Sequence, residues 1–368
     1  MDDEYFMKLA LNLAGSAVGQ TSPNPPVGAL VVKDGEILGM GAHMKAGEAH
    51  AEVHALWMAG DRAHGADIYV TLEPCSHHGK TPPCADLIVE KGIRRAVIAV
   101  MDPNEKVAGR GIEKLRAAGV DVELGLLAEE ATNVNRAFFH YTQTGMPYVT
   151  LKTATSLDGK TATKTGDSKW ITDEAARTDV HRYRHAHDAI LVGVNTVLAD
   201  NPRLTARLPK GAKNPLRIIL DSNLRTPLEA NVVSDRQAKT WIITGEQVSD
   251  AAISPYEELG VTVIPLPATD PDTVLRYLGR QRIMSLFVEG GSAVNWSFIG
   301  SGQINQLVQY MAPKLIGGKD APGVAGGEGF DSMKDVLPIR ITSTEMIGEA
   351  IKIIAEPQEV DADVYRNC

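Results

Sequence analysis

The alternation of apolar and polar positions changes period repeatedly along the chain, and each change predicts an element. Phe6, Leu9, Ala10, Leu13 and Val18 recur at helical intervals, which predicts an amphipathic helix over residues 5–18. Two strands are expected at 27–32 and 36–41, joined as a hairpin by Lys33-Asp34-Gly35. A helix at 49–58, a strand at 68–72, a helix at 85–91 and a strand at 95–100 come next. A helix at 111–118 and a short strand at 120–124 extend the alternation, which implies a sheet with helices on its faces. Past an aromatic helix end, Phe138-Phe139-His140-Tyr141, the polar cluster Thr142-Gln143-Thr144-Gly145-Met146-Pro147 marks a domain boundary. A strand at 148–154 and a helix at 173–187 then lead into strands at 190–192, 217–220, 240–244, 261–265, 285–288, 306–311 and 350–355.

A chain of 368 residues has room for about two domains, each with its own core. The boundary divides it into 1–145 and 147–368. A formal net charge of -9 argues against broad binding to nucleic-acid phosphates and leaves room for a small anionic substrate. Met1-Asp2-Asp3-Glu4 is acidic where a secretory signal needs positive charge, and no apolar run approaches the ~18 residues of a membrane span. A cytoplasmic protein with neither membrane nor nucleic-acid partner is expected. Three cysteines make no disulfide framework, but thiolates open to a metal fit a reducing compartment.

Two of those cysteines carry the candidate chemistry. His50-Ala51-Glu52 is followed by Thr71-Leu72-Glu73-Pro74-Cys75 and then by Pro82-Pro83-Cys84. One imidazole and two thiolates supply three ligands to a tetrahedral Zn²⁺ and leave the fourth position to water. With His50 in the first turn of its helix, Glu52 cannot share its face, so the metal sits off the helix N-terminus and Glu52 reaches the water from beside it. Zinc brings the pKa of such a water to roughly 7, and a neighbouring carboxylate shuttles its proton. The helix opened by Pro83-Cys84 points a second positive end at the thiolates. These parts suit hydrolytic attack on an amidine-like carbon with loss of ammonia. A zincin pair of His50 and His54 would need Glu directly after the first His, where Ala51 stands. A closed structural zinc would need a fourth ligand, for which His77 and His78 are the near candidates. Gly79-Lys80-Thr81 and Gly159-Lys160-Thr161 are not P-loops, because Pro74 and Ala154 occupy the position of the required glycine.

His-x-Glu with Pro-Cys and a further Cys resembles the zinc-dependent nucleobase deaminases, in which the Glu is acid and base and not a ligand. The common second half is Pro-Cys-x-x-Cys, whereas here Ser76 to Pro83 separate the cysteines. That longer loop, from Glu73 through Ser76-His77-His78-Gly79-Lys80-Thr81 to Cys84, is similar to the deaminase of riboflavin biosynthesis, as is Ser22-Pro23-Asn24-Pro25-Pro26-Val27-Gly28-Ala29. In the second half Thr155-Ser156-Leu157-Asp158-Gly159-Lys160, Gly166-Asp167-Ser168-Lys169-Trp170-Ile171-Thr172 and the run from Gly193 through Asn201-Pro202-Arg203-Leu204-Thr205 to Arg207 resemble the reductase of the same pathway. The resemblance covers nearly the whole chain, in the order of the bifunctional deaminase-reductase family.

The resemblance implies an α/β protein with an N-terminal cytidine-deaminase-like three-layer domain and a C-terminal dihydrofolate-reductase-like domain. It implies Zn²⁺ on His50, Cys75 and Cys84, with Glu52 catalytic. Asn24, His43, Lys80, Asp102 and Asn104 fall around the deaminase substrate, a phosphorylated pyrimidine. Ser168, Arg184, Leu204, Arg207 and Glu289 fall to the reductase substrate. Ala154, Trp170, Thr196, Asp200, Ser222 and the turn Gly290, Gly291, Ser292 fall to NADPH, while Lys152 and Asp200 lie near the reacting ribose carbon. Relatives imply a homo-oligomer. The residue chemistry is compatible: Glu289-Gly290-Gly291-Ser292 ends a strand and opens a helix, where amides and the helix dipole receive a pyrophosphate, and Arg184 and Arg207 offer bidentate donors to a phosphate. Trp170 has the simpler alternative of packing a core. A deaminase of bases in nucleic acid would need a basic, aromatic-lined channel, and the acidic balance opposes it. A binding scaffold with a structural zinc is the other alternative.

Overall fold

A computed structural model describes residues 2–76, 82–104 and 108–358. The chain divides into two compact units, Met1–Gly145 and Met146–Cys368. The first runs α1 (Asp3–Ser16), β1 (Gly28–Lys33), β2 (Glu36–Ala42), α2 (Ala51–Ala59), β3 (Asp67–Val70), α3 (Cys84–Glu90), β4 (Arg95–Ile98), α4 (Arg110–Ala117), β5 (Asp121–Leu124), α5 (Ala128–Val134) and α6 (Arg136–Thr144). Its sheet has the order β2-β1-β3-β4-β5. β1 is antiparallel to both neighbours, and β3, β4 and β5 are parallel.

Strand alternation distributes the core to both faces. Ala29, Val31, Ile68, Val70, Ala96 and Ile98 pack with α2, α3 and α4, while Leu30, Val32, Tyr69 and Val97 pack with α1 and Ala131 of α5. The result is three layers, helix on sheet on helix. Each large apolar side chain buried this way contributes roughly 1.5–3 kcal/mol. β2 lies so close to α2 that a Cβ on Gly39 would stand 2.1 Å from the Ala55 carbonyl oxygen, and one on Gly41 would stand 2.3 Å from that of Ala51. Glycine at these two positions lets α2 lie close against β2 along its length.

The second unit runs β6 (Tyr148–Ser156), α7 (Glu174–Ala186), β7 (Ala189–Gly193), α8 (Val194–Asp200), β8 (Leu216–Leu220), α9 (Asn231–Ser234), β9 (Thr240–Gly245), α10 (Asp250–Glu258), β10 (Thr262–Leu266), α11 (Pro271–Arg280), β11 (Ser285–Val288), α12 (Ser292–Gly300), β12 (Gln306–Ala312), β13 (Ile339–Ile347) and β14 (Ala350–Pro357). Nine strands follow the order β10-β9-β8-β7-β11-β6-β12-β14-β13. From β10 to β12 they are parallel, and β14 and β13 close the edge antiparallel. Here too neighbours along a strand part company: Ile190, Val192, Ile219, Ile242 and Phe287 pack with α7 to α10, and Leu191, Ile218, Ile243, Leu286 and Val288 with α11 and α12. Strands buried on both faces read as continuous apolar runs, which is why they were foreseen. β13 was not foreseen, nor were α5, α8, α9, α10 and α11. No helix among the described residues is long and apolar enough to cross a membrane.

Candidate active sites

The first unit builds its site at two helix starts. His50 immediately precedes α2, one residue short of the first-turn position expected for it, and its side chain makes no capping bond. Its ring faces the thiols instead: Nδ1 is 3.3 Å from Cys84 Sγ and 3.7 Å from Cys75 Sγ. Cys84 opens α3, and its amide donates to Cys75 Sγ at 3.3 Å. The three ligand atoms lie within 4.8 Å of one another. An imidazole and two soft sulfurs at that spacing fit a tetrahedral Zn²⁺, whose bonds run about 2.0–2.3 Å. No other such group of His, Cys and carboxylate side chains converges among the described residues. His77, His78 and Lys80 lie outside the described residues.

The thiols divide one proton between them. A hydrogen bond from the Cys84 thiol, assisted by His50 and the Cys84 amide, outweighs burial and holds Cys75 down at about 4. The same bond, with burial, pushes Cys84 up. A metal binding here would displace that remaining proton. Glu52, the second residue of α2, is 3% exposed. Burial, then the charge of Cys75, pushes its carboxyl up to about 7. A carboxyl so poised both takes and gives a proton near neutrality.

His43 and Asn24 line the same place. The His43 ring lies 5.2 Å from that of His50, edge to face. His43 Nδ1 is 3.1 Å from the Ala49 carbonyl and Nε2 is 3.0 Å from Asn24 Nδ2. A carbonyl only accepts, so Nδ1 carries the proton and Nε2 accepts from the Asn24 amide. Asp102 and Asn104 follow β4, where the Asn104 amide donates to Asp102 Oδ1 at 2.8 Å. The Glu73 amide donates to the Val100 carbonyl at 2.9 Å, which brings this stretch alongside the Cys75 turn.

The second unit assembles its site at the carboxyl ends of parallel strands, where open α/β sheets bind ligands. β11 lies between β7 and β6, and Val288 pairs with both Leu191 and Leu151, so Glu289 emerges beside Lys152. Arg184, in the last turn of α7, grips Glu289 with two bonds of 2.6 and 3.1 Å. Lys152 Nζ stands 3.5 Å from the same carboxylate. Burial works to raise the Glu289 carboxyl, but Arg184 and Lys152 outweigh it and hold it at about 2. Arg184 also donates to the Thr205 carbonyl at 3.2 Å, and Arg207 to Thr205 Oγ1 at 3.1 Å. Buried Leu204, at φ 54°, sits in the same segment.

His181 belongs to this cluster and was not foreseen. Burial, with the charges of Arg184 and Arg207, pushes it down to about 4, and its buried Nδ1 has no hydrogen-bond partner. Its signal was its place on α7, three residues before Arg184 and thus on the same face.

The turn after β11 fits a dinucleotide phosphate. Gly291 precedes α12 without a capping side chain, which leaves the first amides of that helix to a ligand. A Cβ on Gly290 would stand 2.5 Å from Val294 Cβ, and a Cβ on Gly291 would stand 3.7 Å from Thr196 Oγ1. Asn295 of α12 has a buried, unpartnered Oδ1. Thr196 and this turn are thus brought together. Trp170 is 63% exposed and stacks under Arg177 at 4.5 Å, so the alternative of core packing is excluded. Ser222 bonds Thr269 at 2.8 Å. Ala154, Ser168, Asp200 and Ser222 stand outside the Glu289 hydrogen-bond cluster among the described residues.

Comparisons with known proteins identify the family of each part of the chain. Residues 1–100 match the cytidine and deoxycytidylate deaminase zinc-binding region, and residues 147–353 match the RibD C-terminal domain. The riboflavin biosynthesis protein RibD of Bacillus amyloliquefaciens is 54% identical over 371 residues, covering 99% of this chain and 100% of its own. The Escherichia coli K12 protein of the same name is 42% identical, covering 95% and 97%. Among solved structures, Acinetobacter baumannii RibD superposes with a TM-score of 0.88 at 37% identity, covering 97% of this chain and 99% of that one. A Thermotoga maritima diaminohydroxyphosphoribosylaminopyrimidine deaminase/5-amino-6-(5-phosphoribosylamino)uracil reductase gives 0.86 at 38% identity, covering 96% and 98%. The chain belongs to the RibD family of riboflavin biosynthesis proteins.

Proposed function

We infer that this chain is a bifunctional enzyme of riboflavin biosynthesis, a zinc-dependent deaminase and an NADPH-dependent reductase. We assign deamination to residues 1–145 and reduction to 147–368. The substrate is a small phosphorylated pyrimidine, 2,5-diamino-6-(5-phosphoribosylamino)pyrimidin-4-one, whose 2-amino group is lost as ammonia and whose ribosyl group is then reduced to ribityl. The convergence of His50, Cys75 and Cys84 beside buried Glu52 carries this assignment. A cytoplasmic homo-oligomer is the corresponding proposal for location and assembly.

In the first reaction water adds to the carbon bearing the amino group and the carbon–nitrogen bond breaks. His50, Cys75 and Cys84 would hold zinc, which would supply Lewis acidity to that water. Glu52 takes a proton from the water and delivers it to the departing nitrogen. Asn24 and His43, locked to each other, present a fixed polar edge to the heterocycle, and Asp102 and Asn104 present another. Lys80 is assigned to the substrate phosphate.

In the second reaction the ribosyl group is reduced at C1′, for which NADPH, once bound, would supply the hydride. Arg184, Arg207, Ser168, Leu204 and Glu289 are assigned to substrate, with Lys152 and Asp200 near the reacting carbon. Ala154, Trp170, Thr196, Ser222, Gly290, Gly291 and Ser292 are assigned to the dinucleotide. Glu289 fixes both Arg184 and Lys152, so the cations are aligned before substrate arrives, at no cost in reorganisation. The test supplies the pyrimidine substrate with NADPH, with and without a zinc chelator, and follows products by mass. Untreated enzyme yields the ribityl uracil product. Chelated enzyme loses ammonia release but still reduces the deaminated intermediate when that is supplied directly. Ammonia release that survives full removal of zinc refutes the assignment.

A further inference from the structure

The carboxylate of Glu73, two residues before Cys75, is 4% exposed and touches neither the thiols nor His50 in any hydrogen bond among the described residues. It accepts from four backbone amides instead. Oε2 takes Asp102 N at 3.2 Å and Gly109 N at 3.0 Å, and Oε1 takes Gly111 N at 2.9 Å and Ile112 N at 3.3 Å. α4 has no side chain of its own capping its start, so Glu73 serves as that cap from beyond the end of β3, the strand beside β4. The approach is tight: a Cβ on Gly111 would stand 2.1 Å from the Pro74 carbonyl oxygen. One buried side chain therefore joins the Cys75 turn to the residue after β4 that carries Asp102, and to the first turn of α4.

We propose that Glu73 is a positioning residue of the deaminase, fixing Asp102 and Asn104 at the substrate edge of the zinc site and so setting substrate affinity. The proposal rests on the assignment of Asp102 and Asn104 to substrate. Asp102 in turn accepts from the Asn104 amide, so displacement of the Asp102 backbone moves both residues. Of the zinc ligands, His50 and Cys84 stand at their own helix starts, and Cys75 is tied to the second of these by the Cys84 amide on its sulfur at 3.3 Å and the Ala85 amide on its carbonyl at 3.1 Å, which separates affinity from metal retention.

The experiment compares zinc-loaded full-length wild type, Glu73→Ala, Glu73→Gln and Asp102→Ala. Hydrogen bonds to a charged group are among the stronger ones, and losing four loosens the stretch enough to raise the deaminase KM about tenfold or more in Glu73→Ala. Zinc content, deaminase kcat and the reductase step stay at wild-type values. Glu73→Gln retains one acceptor oxygen, giving an intermediate KM, and this variant carries the test if the alanine variant does not fold. Amide exchange at Asp102, Gly109, Gly111 and Ile112 quickens in both Glu73 variants. An unchanged KM despite quickened exchange overturns the proposal. So does a fall in zinc content or kcat with KM unchanged, which marks a merely structural role. If KM also stays unchanged in Asp102→Ala, the assignment of Asp102 to substrate falls as well; if it rises there, only the role of Glu73 is lost.

Discussion

The two units solve the same problem, a charge held in a buried site, by opposite routes. In the first, the reactive groups come from one stretch, His50 to Cys84, and two helix starts aim at a point where a cation is to be supplied from outside. In the second, the cations are the protein's own: Arg184 and Lys152 close on Glu289 from α7 and β6, elements far apart in sequence. The first site is incomplete without its metal, and the second is preassembled by ion pairing. A metal centre needs particular ligand types but little else from the fold, whereas an ion-pair scaffold needs the entire sheet in register before its parts meet.

If that contrast is correct, the most damaging change at the first site leaves the metal and the fold in place. Glu52→Gln keeps the shape of the side chain and removes its ability to carry a proton. Ammonia release is expected to fall about 100- to 10,000-fold, the usual weight of general acid and base catalysis. Bound zinc, measured by metal analysis, stays at one ion for each active site, and reduction of the deaminated intermediate continues at the wild-type rate. Full deaminase activity in this variant would remove Glu52 from the chemistry.

The second site is expected to fail through the fold as well as the chemistry. Glu289→Ala leaves Arg184 and Lys152 with mutually repelling, poorly hydrated charges, a loss of about 3–5 kcal/mol by analogy with other broken buried pairs. Urea unfolding followed by a probe in the second unit should show it, with reductase activity lost and ammonia release retained. The pH dependence has a definite sign. The folded carboxyl titrates at about 2 against an ordinary 4.5, so its contribution to stability is whole above that ordinary value and is lost as the pH falls through about 2. In Glu289→Gln this acid-side loss is expected to shrink. An unfolding free energy with the same pH dependence in both proteins would mean that the ion pair does not anchor the site.

The same contrast explains what could be read before the structure. The convergence of His50, Cys75 and Cys84 beside Glu52 was legible because coordination dictates residue types at short spacings, although α2 starts two residues later than its expected position 49. Parallel strands such as Ala189–Gly193 and Ser285–Val288 were legible as apolar runs because both of their faces are buried. β13 was not, because it is exposed along almost its whole length and interleaves Arg340, Thr342, Thr344 and Glu345 with its apolar positions. α11 carries a clear start signal, Asp270 capping Thr273 with Pro271 in the first turn, beside the apolar strands that dominate this half of the chain. α8 is hidden because its seven residues bury only Val194 and Val197, too few to show a helical period. At the reductase site the resemblance, and not the spacing, pointed to Arg184, Arg207 and Glu289. His181 shows the limit: a histidine on a polar helix face carries no sign of its neighbours until α7 is docked against the segment holding Thr205.

Arg207 gives the smallest and most discriminating test of the comparison. It shares Thr205 with Arg184, yet it forms no bond to Glu289 among the described residues, and burial with the nearby charge of Arg184 holds its pKa below the ordinary value. A cation kept beside another cation, without its own carboxylate, is expected to receive its counter-charge from a ligand. Arg207→Ala should therefore leave the stability of the second unit within about 0.5 kcal/mol of wild type, as for substitutions outside a buried network. The reductase KM should rise about tenfold, the value of one charge-assisted contact, with kcat little changed and ammonia release unaffected. Destabilisation as large as that of Glu289→Ala would instead make Arg207 part of the scaffold, and equal losses in both reactions would deny that the two units work through separate sites.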